Sequence, residues 1–78
     1  MEIKILGGGC ANCHRLEKLA QEAAAELGIT AIFTEVKEMT EIMEYDIIST
    51  PALVVNEVVK SSGRVPSKDE IKGFLQTA

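Results

Sequence analysis

The chain has 78 residues, of which 46% are hydrophobic and 26% are charged, with a net charge of −4 and a pI of about 4.9. This composition is too apolar for a disordered tail and predicts one small globular domain spanning residues 1–78. The acidic balance argues against binding to nucleic acid or to an anionic membrane surface, since both require a basic protein face.

The N-terminal sequence MEIKIL carries an acid at Glu2 and leads directly into a predicted strand. A signal peptide would need a basic start, a longer apolar stretch and a small-residue cleavage site. No apolar run in the sequence approaches the roughly 18 residues of a membrane span. We therefore expect a soluble protein of the cytoplasm that does not interact with membranes.

The first predicted elements are a strand and a long helix separated by glycines. Residues Glu2–Leu6 alternate charged and apolar side chains, which predicts a strand that ends at Gly7–Gly9. Across Ala11–Leu27 the apolar residues recur at helical spacing among alanines and long polar residues, which favours a helix. Gly28 is placed to end this helix in the left-handed conformation.

A second strand and a short helix are predicted next. Ala31–Val36 is rich in β-branched and aromatic residues, which are typical of strands. Met39–Tyr45 predicts a short helix whose apolar side chains share one side. We expect these side chains to pack in the core or at its edge rather than to form a docking patch; they are Met39, Ile42 and Met43.

A hairpin and a final helix complete the predicted order. Ala52–Val55 is a continuous apolar run typical of a buried strand, Asn56-Glu57 indicates a two-residue turn, and Val58–Lys60 returns beside it. Ser67 and Glu70 form a capping box that opens the last helix. The order β-α-β-α-β-β-α indicates an α/β fold with a mixed sheet and helices on both faces.

The segment CANCH, residues 10–14, carries the two cysteines of the chain at the junction between the glycine turn and the first helix. A bridge between Cys10 and Cys13 would close too short a loop to be a useful structural staple, which favours a chemical role. Residues three apart on a helix have Cβ atoms about 5–6 Å apart, close enough for a disulfide after a small adjustment. The first sulfur would face free N–H groups and the positive end of the helix dipole, which favour the thiolate.

Three other interpretations of CANCH remain open at this point. The letters match the haem-attachment pattern C-x-x-C-H, although the chain has only three aromatic residues to enclose a haem. Two thiolates also suit Cu(I) or Zn, so a soft-metal carrier is the main alternative. A structural zinc site needs four ligands, and only Cys10, Cys13 and His14 lie together. The third alternative is a binding module whose cysteines are incidental.

A second segment, YDIISTPALVV at residues 45–55, combines a helix end, a short turn, a proline and a buried strand. With GCANC, KEM and the pattern P-x-L-x-V, the chain resembles the thioredoxin-like superfamily along nearly its whole length. It is most similar to the small archaeal and bacterial redox-active disulfide proteins. The resemblance implies a thioredoxin-like fold, in which a four-stranded mixed sheet is flanked by three helices.

The resemblance also implies roles for individual residues. Cys10 would be the nucleophile, Cys13 the resolving thiol, and Pro51 a cis-proline whose loop faces the two cysteines. Thr50 would offer its backbone N–H and C=O to a substrate chain. The implied activity is thiol–disulfide exchange with a protein partner, with an unidentified reductase as electron donor and with no bound cofactor or metal.

The chain departs from classical thioredoxins around the cysteines. It has glycine where those proteins have tryptophan before the first cysteine, and Ala-Asn in place of Gly-Pro between the two cysteines. The glutaredoxin motif Cys-Pro-Tyr-Cys is also absent, so glutathione use is not supported. The residues that differ here, Gly9, Ala11 and Asn12, are candidate modulators of the dithiol. His14 is a fourth candidate, because residues i and i+4 share a helix face and it could favour the Cys10 thiolate; the alternative is an exposed residue of the first turn.

Overall fold

The computed structural model describes residues 1–7, 9–47 and 49–77, so Gly8 of the predicted glycine turn lies outside the described residues. The element order is β-α-β-α-β-β-α, as predicted. The elements are β1 (Glu2–Leu6), α1 (Ala11–Glu26), β2 (Ile32–Val36), α2 (Met39–Met43), β3 (Ala52–Val55), β4 (Val58–Ser62) and α3 (Lys68–Gln76). In the described ranges, no helix has the length and apolar character needed to cross a membrane.

The sheet brings three chain segments to one edge. Its strand order is β2-β1-β3-β4, with β1 parallel to β2 and antiparallel to β3, and β3 antiparallel to β4. Leu6, the last residue of β1, pairs with Val36 at the end of β2 and with Ala52 at the start of β3. The turn that follows β1, the turn that follows β2 and the loop that precedes β3 therefore meet at the same edge.

Alternation along the strands separates two apolar clusters on opposite faces of the sheet. On one face, side chains of β1 and β3 pack against α1 and α3; the sheet residues are Ile3, Ile5, Leu53 and Val55. On the other face, the sheet packs against α2; the cluster is Leu6, Val36, Ile42, Ala52 and Val54. The mixed sheet with helices on both faces is confirmed.

Local sequence signals end and begin the helices as predicted. After α1, Gly28 has φ +69° and donates to the Ala25 carbonyl at 3.1 Å, and Ile29 donates to the Ala24 carbonyl at 2.9 Å. These two bonds satisfy the last carbonyls of the helix in a Schellman arrangement. At α3, Ser67 Oγ accepts from the Glu70 N–H at 3.2 Å, and Glu70 Oε1 accepts from the Ser67 N–H at 3.2 Å.

Four predicted boundaries were wrong by one or two residues. α1 ends at Glu26, with Leu27 as its C-cap, rather than at Leu27. β2 begins at Ile32 rather than at residue 31, and α2 ends at Met43 rather than at Tyr45. The N–H groups of residues 44–46 donate to carbonyls three residues back, so the last turn tightens before Asp46, which has φ +55°. β4 extends to Ser62, because a bulge opposite the step between Leu53 and Val54 lets pairing continue.

The expected packing of α2 was wrong for two of its three apolar side chains. Ile42 is 6% exposed and belongs to the second cluster, as predicted. Met39 and Met43, however, are 67% and 66% exposed. A helix of five residues presents little more than one side chain to the sheet, so the two methionines lie beside the contact and face solvent.

Candidate functional site

Cys10 and Cys13 form a disulfide with their Cα atoms 5.0 Å apart. Cys10 is the N-cap of α1, with φ −77° and ψ 161°, and its Sγ accepts a hydrogen bond from the Cys13 N–H at 3.1 Å. The two cysteines differ in solvent exposure: Cys10 is exposed, whereas Cys13 is only 2% exposed. The helix start therefore presents one cysteine to solvent and holds the other one turn deeper.

Gly7 packs directly on the buried cysteine, a contact that sequence reasoning missed. A Cβ on Gly7 would lie 2.6 Å from Cys13 Sγ and 3.5 Å from Thr50 Cβ, and Gly7 has φ +146°. The Gly7 N–H donates to the Val36 carbonyl at 2.9 Å, which ties this position to β2. The glycine run GGG was the only sequence signal, and it does not say which glycine approaches the sulfur.

The loop before β3 lies beside Gly7 and the buried cysteine Cys13. The Thr50–Pro51 peptide bond is cis, as the resemblance implies; Pro51 is buried, whereas Thr50 is exposed. The Pro51 carbonyl accepts from the Gly63 N–H at 2.9 Å, and Gly63 also lies against Ser49, so the end of β4 braces the loop. Within the described residues, the Thr50 N–H and C=O have no hydrogen-bond partner.

The four candidate modulators lie on the solvent side of the disulfide. All four are exposed: Gly9, Ala11, Asn12 and His14. Gly9 has φ +71° with open space where a Cβ would be, so its requirement for glycine is conformational. The His14 backbone N–H donates to the Cys10 carbonyl at 3.1 Å, which is the first hydrogen bond of α1. The structure thus groups Cys10, Cys13 and the Thr50–Pro51 loop, with these four at the rim.

Glu17, one turn beyond Cys13 on α1, lies beside Glu35 of β2. Partial burial raises the pKa of Glu17, and the neighbouring Glu35 carboxyl on β2 reinforces this shift. His14 and Lys37 act in the opposite direction, because their positive charges lower the pKa of Glu17.

In the part of the chain that the structure describes, no three or more His, Cys, Asp or Glu side chains come together as a metal-binding group.

An apolar groove adjoins the Thr50–Pro51 loop. Its volume is about 240 Å³, and it is lined by Met39, Ile42, Met43, Ile47, Ser49 and Thr50. The groove includes both methionines that the sequence analysis had assigned to packing. It therefore extends the surface around the disulfide along the side of α2.

Comparisons with known proteins agree with this geometry. A family model described as a thioredoxin domain matches residues 1–76. The chain is 52% identical over 75 residues to a thioredoxin from Methanothermobacter thermautotrophicus, covering 96% of this chain and 97% of that one. It is 35% identical to a thioredoxin from Methanocaldococcus jannaschii, covering 96% of this chain and 86% of that one.

A solved structure shows the same fold at low sequence identity. The crystal structure of the germline-specific thioredoxin Deadhead from Drosophila melanogaster matches with a TM-score of 0.62 and 13% identity. The match covers 97% of this chain and 78% of that chain. At this identity, the likeness concerns the arrangement of helices and strands alone.

Proposed function

This chain belongs to the thioredoxin family and is a thiol–disulfide oxidoreductase acting on protein thiols and disulfides, and from that premise we propose which residues carry out the exchange. Cys10 is the attacking residue, and Cys13 resolves the intermediate. The observation that carries this assignment is the difference in access between the exposed Cys10 and the 2% exposed Cys13. A partner disulfide can reach only the exposed sulfur.

The reduced protein begins the reaction as a dithiol. Cys10 Sγ lies at the amino end of α1, where the Cys13 N–H and the helix dipole stabilise a thiolate. The thiolate attacks one sulfur of the partner disulfide. A bond forms between Cys10 and that sulfur, the partner's S–S bond breaks, and the departing partner thiolate takes up a proton.

Cys13 completes the exchange. Its thiol loses a proton and its sulfur attacks Cys10 Sγ, which breaks the mixed disulfide and releases the second partner sulfur as a thiol. The partner gains two electrons and two protons, and the protein gives them up on forming the Cys10–Cys13 disulfide. The 5.0 Å separation of the two Cα atoms supports this step, because it lies within the normal range for disulfides.

Thr50 and Pro51 position the partner chain. The exposed Thr50 has a backbone N–H and C=O that make no hydrogen bond within the described ranges, so they are suited to pair with an extended segment. Pro51 is buried and braced by Gly63, which keeps the position of Thr50 constant relative to Cys13. The candidate modulators at the rim tune how closely the partner approaches.

The protein also needs an electron donor and a compartment. Repeated reduction of partners requires a separate reductase to convert the Cys10–Cys13 disulfide back to the dithiol. We place this cycle in the cytoplasm, where disulfides are usually transient and catalytic rather than structural. Purifying the reductase activity that turns over the oxidised protein in a cytoplasmic extract would test both statements.

The roles of the two cysteines are tested by a matched pair of substitutions. Cys13→Ser leaves the attacking thiolate but removes the resolving sulfur, so incubation with a disulfide-containing protein such as insulin should give a covalent adduct seen by mass spectrometry. Cys10→Ser is the control and should give no adduct. Equal trapping by both variants, or trapping only by Cys10→Ser, would contradict the assigned roles.

A further inference from the structure

The apolar groove continues the proposed substrate-binding loop along α2. Thr50 belongs to both, so a partner chain paired with Thr50 has its neighbouring side chains over the groove. Met39 and Met43, which are 67% and 66% exposed, form its outer wall. Methionine is unbranched and polarizable, which lets such a wall fit apolar side chains of different shape.

The net charge of the protein is concentrated in the chain segment that contains α2, the helix whose Met39 and Met43 line this groove. Residues 35–46 contain five acidic side chains and one lysine: Glu35, Glu38, Glu41, Glu44, Asp46 and Lys37. Their sum of −4 equals the net charge of the whole chain, because the remaining residues carry seven acids and seven bases. The acidic character of the protein is therefore a property of one segment.

Acidic residues outside this segment are largely compensated by nearby cations. The shortest ion pairs are Lys4–Glu57 at 2.6 Å, Lys68–Glu26 at 2.6 Å, Lys72–Glu26 at 2.5 Å and Arg64–Glu70 at 2.9 Å. Residues 38–46, by contrast, form no ion pair among the described residues, and Glu35 is 4.0 Å from Lys37. Glu41 and Glu44 line a separate depression with Lys4, but Lys4 is already paired with Glu57 at 2.6 Å, so most of the negative potential of this segment is left for a partner to neutralise.

The topology places this segment at the reactive end of the molecule. β1 and β2 are parallel and end together at Leu6 and Val36, so α2 leaves the same sheet edge as the turn that leads to Cys10. A helix is about 10 Å wide, comparable with the Debye length at physiological ionic strength. Charges on either flank of α2 therefore act on a chain lying in the groove.

We propose that the preferred protein partner presents its reactive disulfide in a segment that carries an apolar side chain and adjacent Lys or Arg residues. The apolar side chain fills the groove, and the cations face residues 35–46. This proposal rests on the proposed function of Cys10 and Thr50. A second copy of the chain is a poor occupant, because it would bring two segments of charge −4 together.

The experiment uses two cyclic peptides, each closed by one disulfide and carrying a leucine beside the first cysteine. The peptides differ only in having two lysines or two glutamates next to that leucine. With the reduced protein at low ionic strength, we expect the second-order rate constant to be about tenfold larger for the lysine peptide. Salt should reduce this ratio.

Matched variants locate the charge effect. The triple variant Glu38→Gln, Glu41→Gln and Glu44→Gln should lose most of the preference for the lysine peptide. The control triple Glu2→Gln, Glu22→Gln and Asp69→Asn removes the same charge elsewhere and should keep the preference.

The methionine wall is tested separately. The double variant Met39→Gln and Met43→Gln should slow reduction of the lysine peptide about tenfold, because the leucine loses its apolar contact. Replacement of both methionines by leucine should restore the rate to within about twofold, since the side-chain volume is conserved.

Bis(2-hydroxyethyl) disulfide, which is small and neutral, separates failure of this proposal from failure of the proposed function. If the reduced wild-type protein does not reduce it, thiol–disulfide exchange at Cys10 is contradicted. If the protein reduces it but reacts equally with both peptides, or if the α2 triple variant keeps the preference, the docking proposal is overturned and the exchange stands. Dimerisation abolished by Met39→Gln and Met43→Gln would assign the groove to a second copy and would also overturn the proposal.

Discussion

At the scale of single residues, the site depends on a difference between two cysteines three positions apart. Cys10 lies outside the first turn of α1 as its N-cap, whereas Cys13 lies inside that turn and is covered. The cover includes Gly7, whose missing side chain leaves the space that Cys13 Sγ occupies. The backbone approaches the sulfur more closely than any other residue type would allow.

Substitution of Gly7 tests this packing. Gly7→Ala would place a methyl group 2.6 Å from Cys13 Sγ, so the sulfur or the strand end must shift. Gly7 also has a positive φ, so we expect the oxidised protein to lose about 1–3 kcal/mol of unfolding free energy from overpacking in addition to about 1–2 kcal/mol from backbone strain. Urea denaturation without reductant measures this loss.

Gly9→Ala is the matched control. Gly9 also has a positive φ, but among the described residues no atom beyond its own chain neighbours lies within 4 Å of its Cβ position, so this substitution introduces backbone strain without a clash. It should cost about 1–2 kcal/mol. If Gly7→Ala proves no more destabilising than Gly9→Ala, the contact with Cys13 does not restrict that position.

At the scale of secondary-structure elements, α1 is held to α3 by apolar packing and by ion pairs at its carboxyl end. Leu16, Ala20, Ile71 and Leu75 belong to one buried cluster. At the carboxyl end of α1, Glu26 forms ion pairs with both Lys68 and Lys72, and the carboxylate of Glu22 lies 3.5 Å from Lys68 Nζ. Ion pairs thus fix the carboxyl end of α1 to α3, while Cys10 at its amino end remains exposed.

Low pH should weaken the ion pairs that Glu26 of α1 forms with Lys68 and Lys72 of α3. Hydrogen bonds from Lys68, and secondarily from Lys72, lower the pKa of Glu26 from 4.5 to about 2. A carboxyl whose pKa is lower in the folded state stabilises that state fully above pH 4.5, and the contribution disappears as the pH falls toward 2. Solvent screens these exposed groups, so the effect is modest.

Thermal melts between neutral pH and pH 2 check this dependence. Wild-type protein should lose Tm across the interval in which Glu26 becomes protonated, and Glu26→Gln should show a shallower decrease. Glu41→Gln, at an exposed residue without an ion pair in the described ranges, should keep the wild-type profile. Parallel profiles for wild type and Glu26→Gln would mean that the Lys68 and Lys72 pairs contribute nothing to folding.

At the scale of the whole molecule, β3 connects the two apolar clusters. All four of its residues are buried, with Leu53 and Val55 in one cluster and Ala52 and Val54 in the other. A chain of this size buries only about 60% of the surface exposed on unfolding, so each core side chain contributes a large share of its stability. The strand that follows the Thr50–Pro51 loop, β3, therefore contributes to the apolar clusters on both faces of the sheet.

Truncation at the centre of β3 tests this dependence. Leu53→Ala removes a fully buried side chain and should cost about 2–5 kcal/mol, out of a total stability of about 5–15 kcal/mol. The midpoint of urea denaturation measures it. Val58→Ala on β4, at a residue that is 54% exposed, should change stability by about 0.5 kcal/mol or less. Equal costs would show that β3 is not central to the core.

Sequence patterns predicted the elements whose causes are local. The helix end at Gly28, the capping box at Ser67 and the turn at Asn56-Glu57, where both residues have positive φ, each depend on neighbours within a few positions. The cysteine pair was also found locally, because one helical turn brings Cys10 and Cys13 within bonding range. Pro51 and Thr50 came from the family resemblance rather than from periodicity.

By itself, the sequence determined the order of strands and helices, the position of the dithiol at the start of α1 and the total charge of −4. The tertiary structure alone decided that Gly7 covers Cys13, that Thr50 lies beside both, and that Met39 and Met43 remain exposed within the acidic segment. The physical reason is the range of the interactions. Caps, turns and helical spacing act over a few residues. Thr50 reaches Gly7 and Cys13 from a distant part of the chain only because β1 and β3 pair at one sheet edge, and the packing of Gly7 on Cys13 and the exposure of the two methionines depend on how the helices are placed on the sheet.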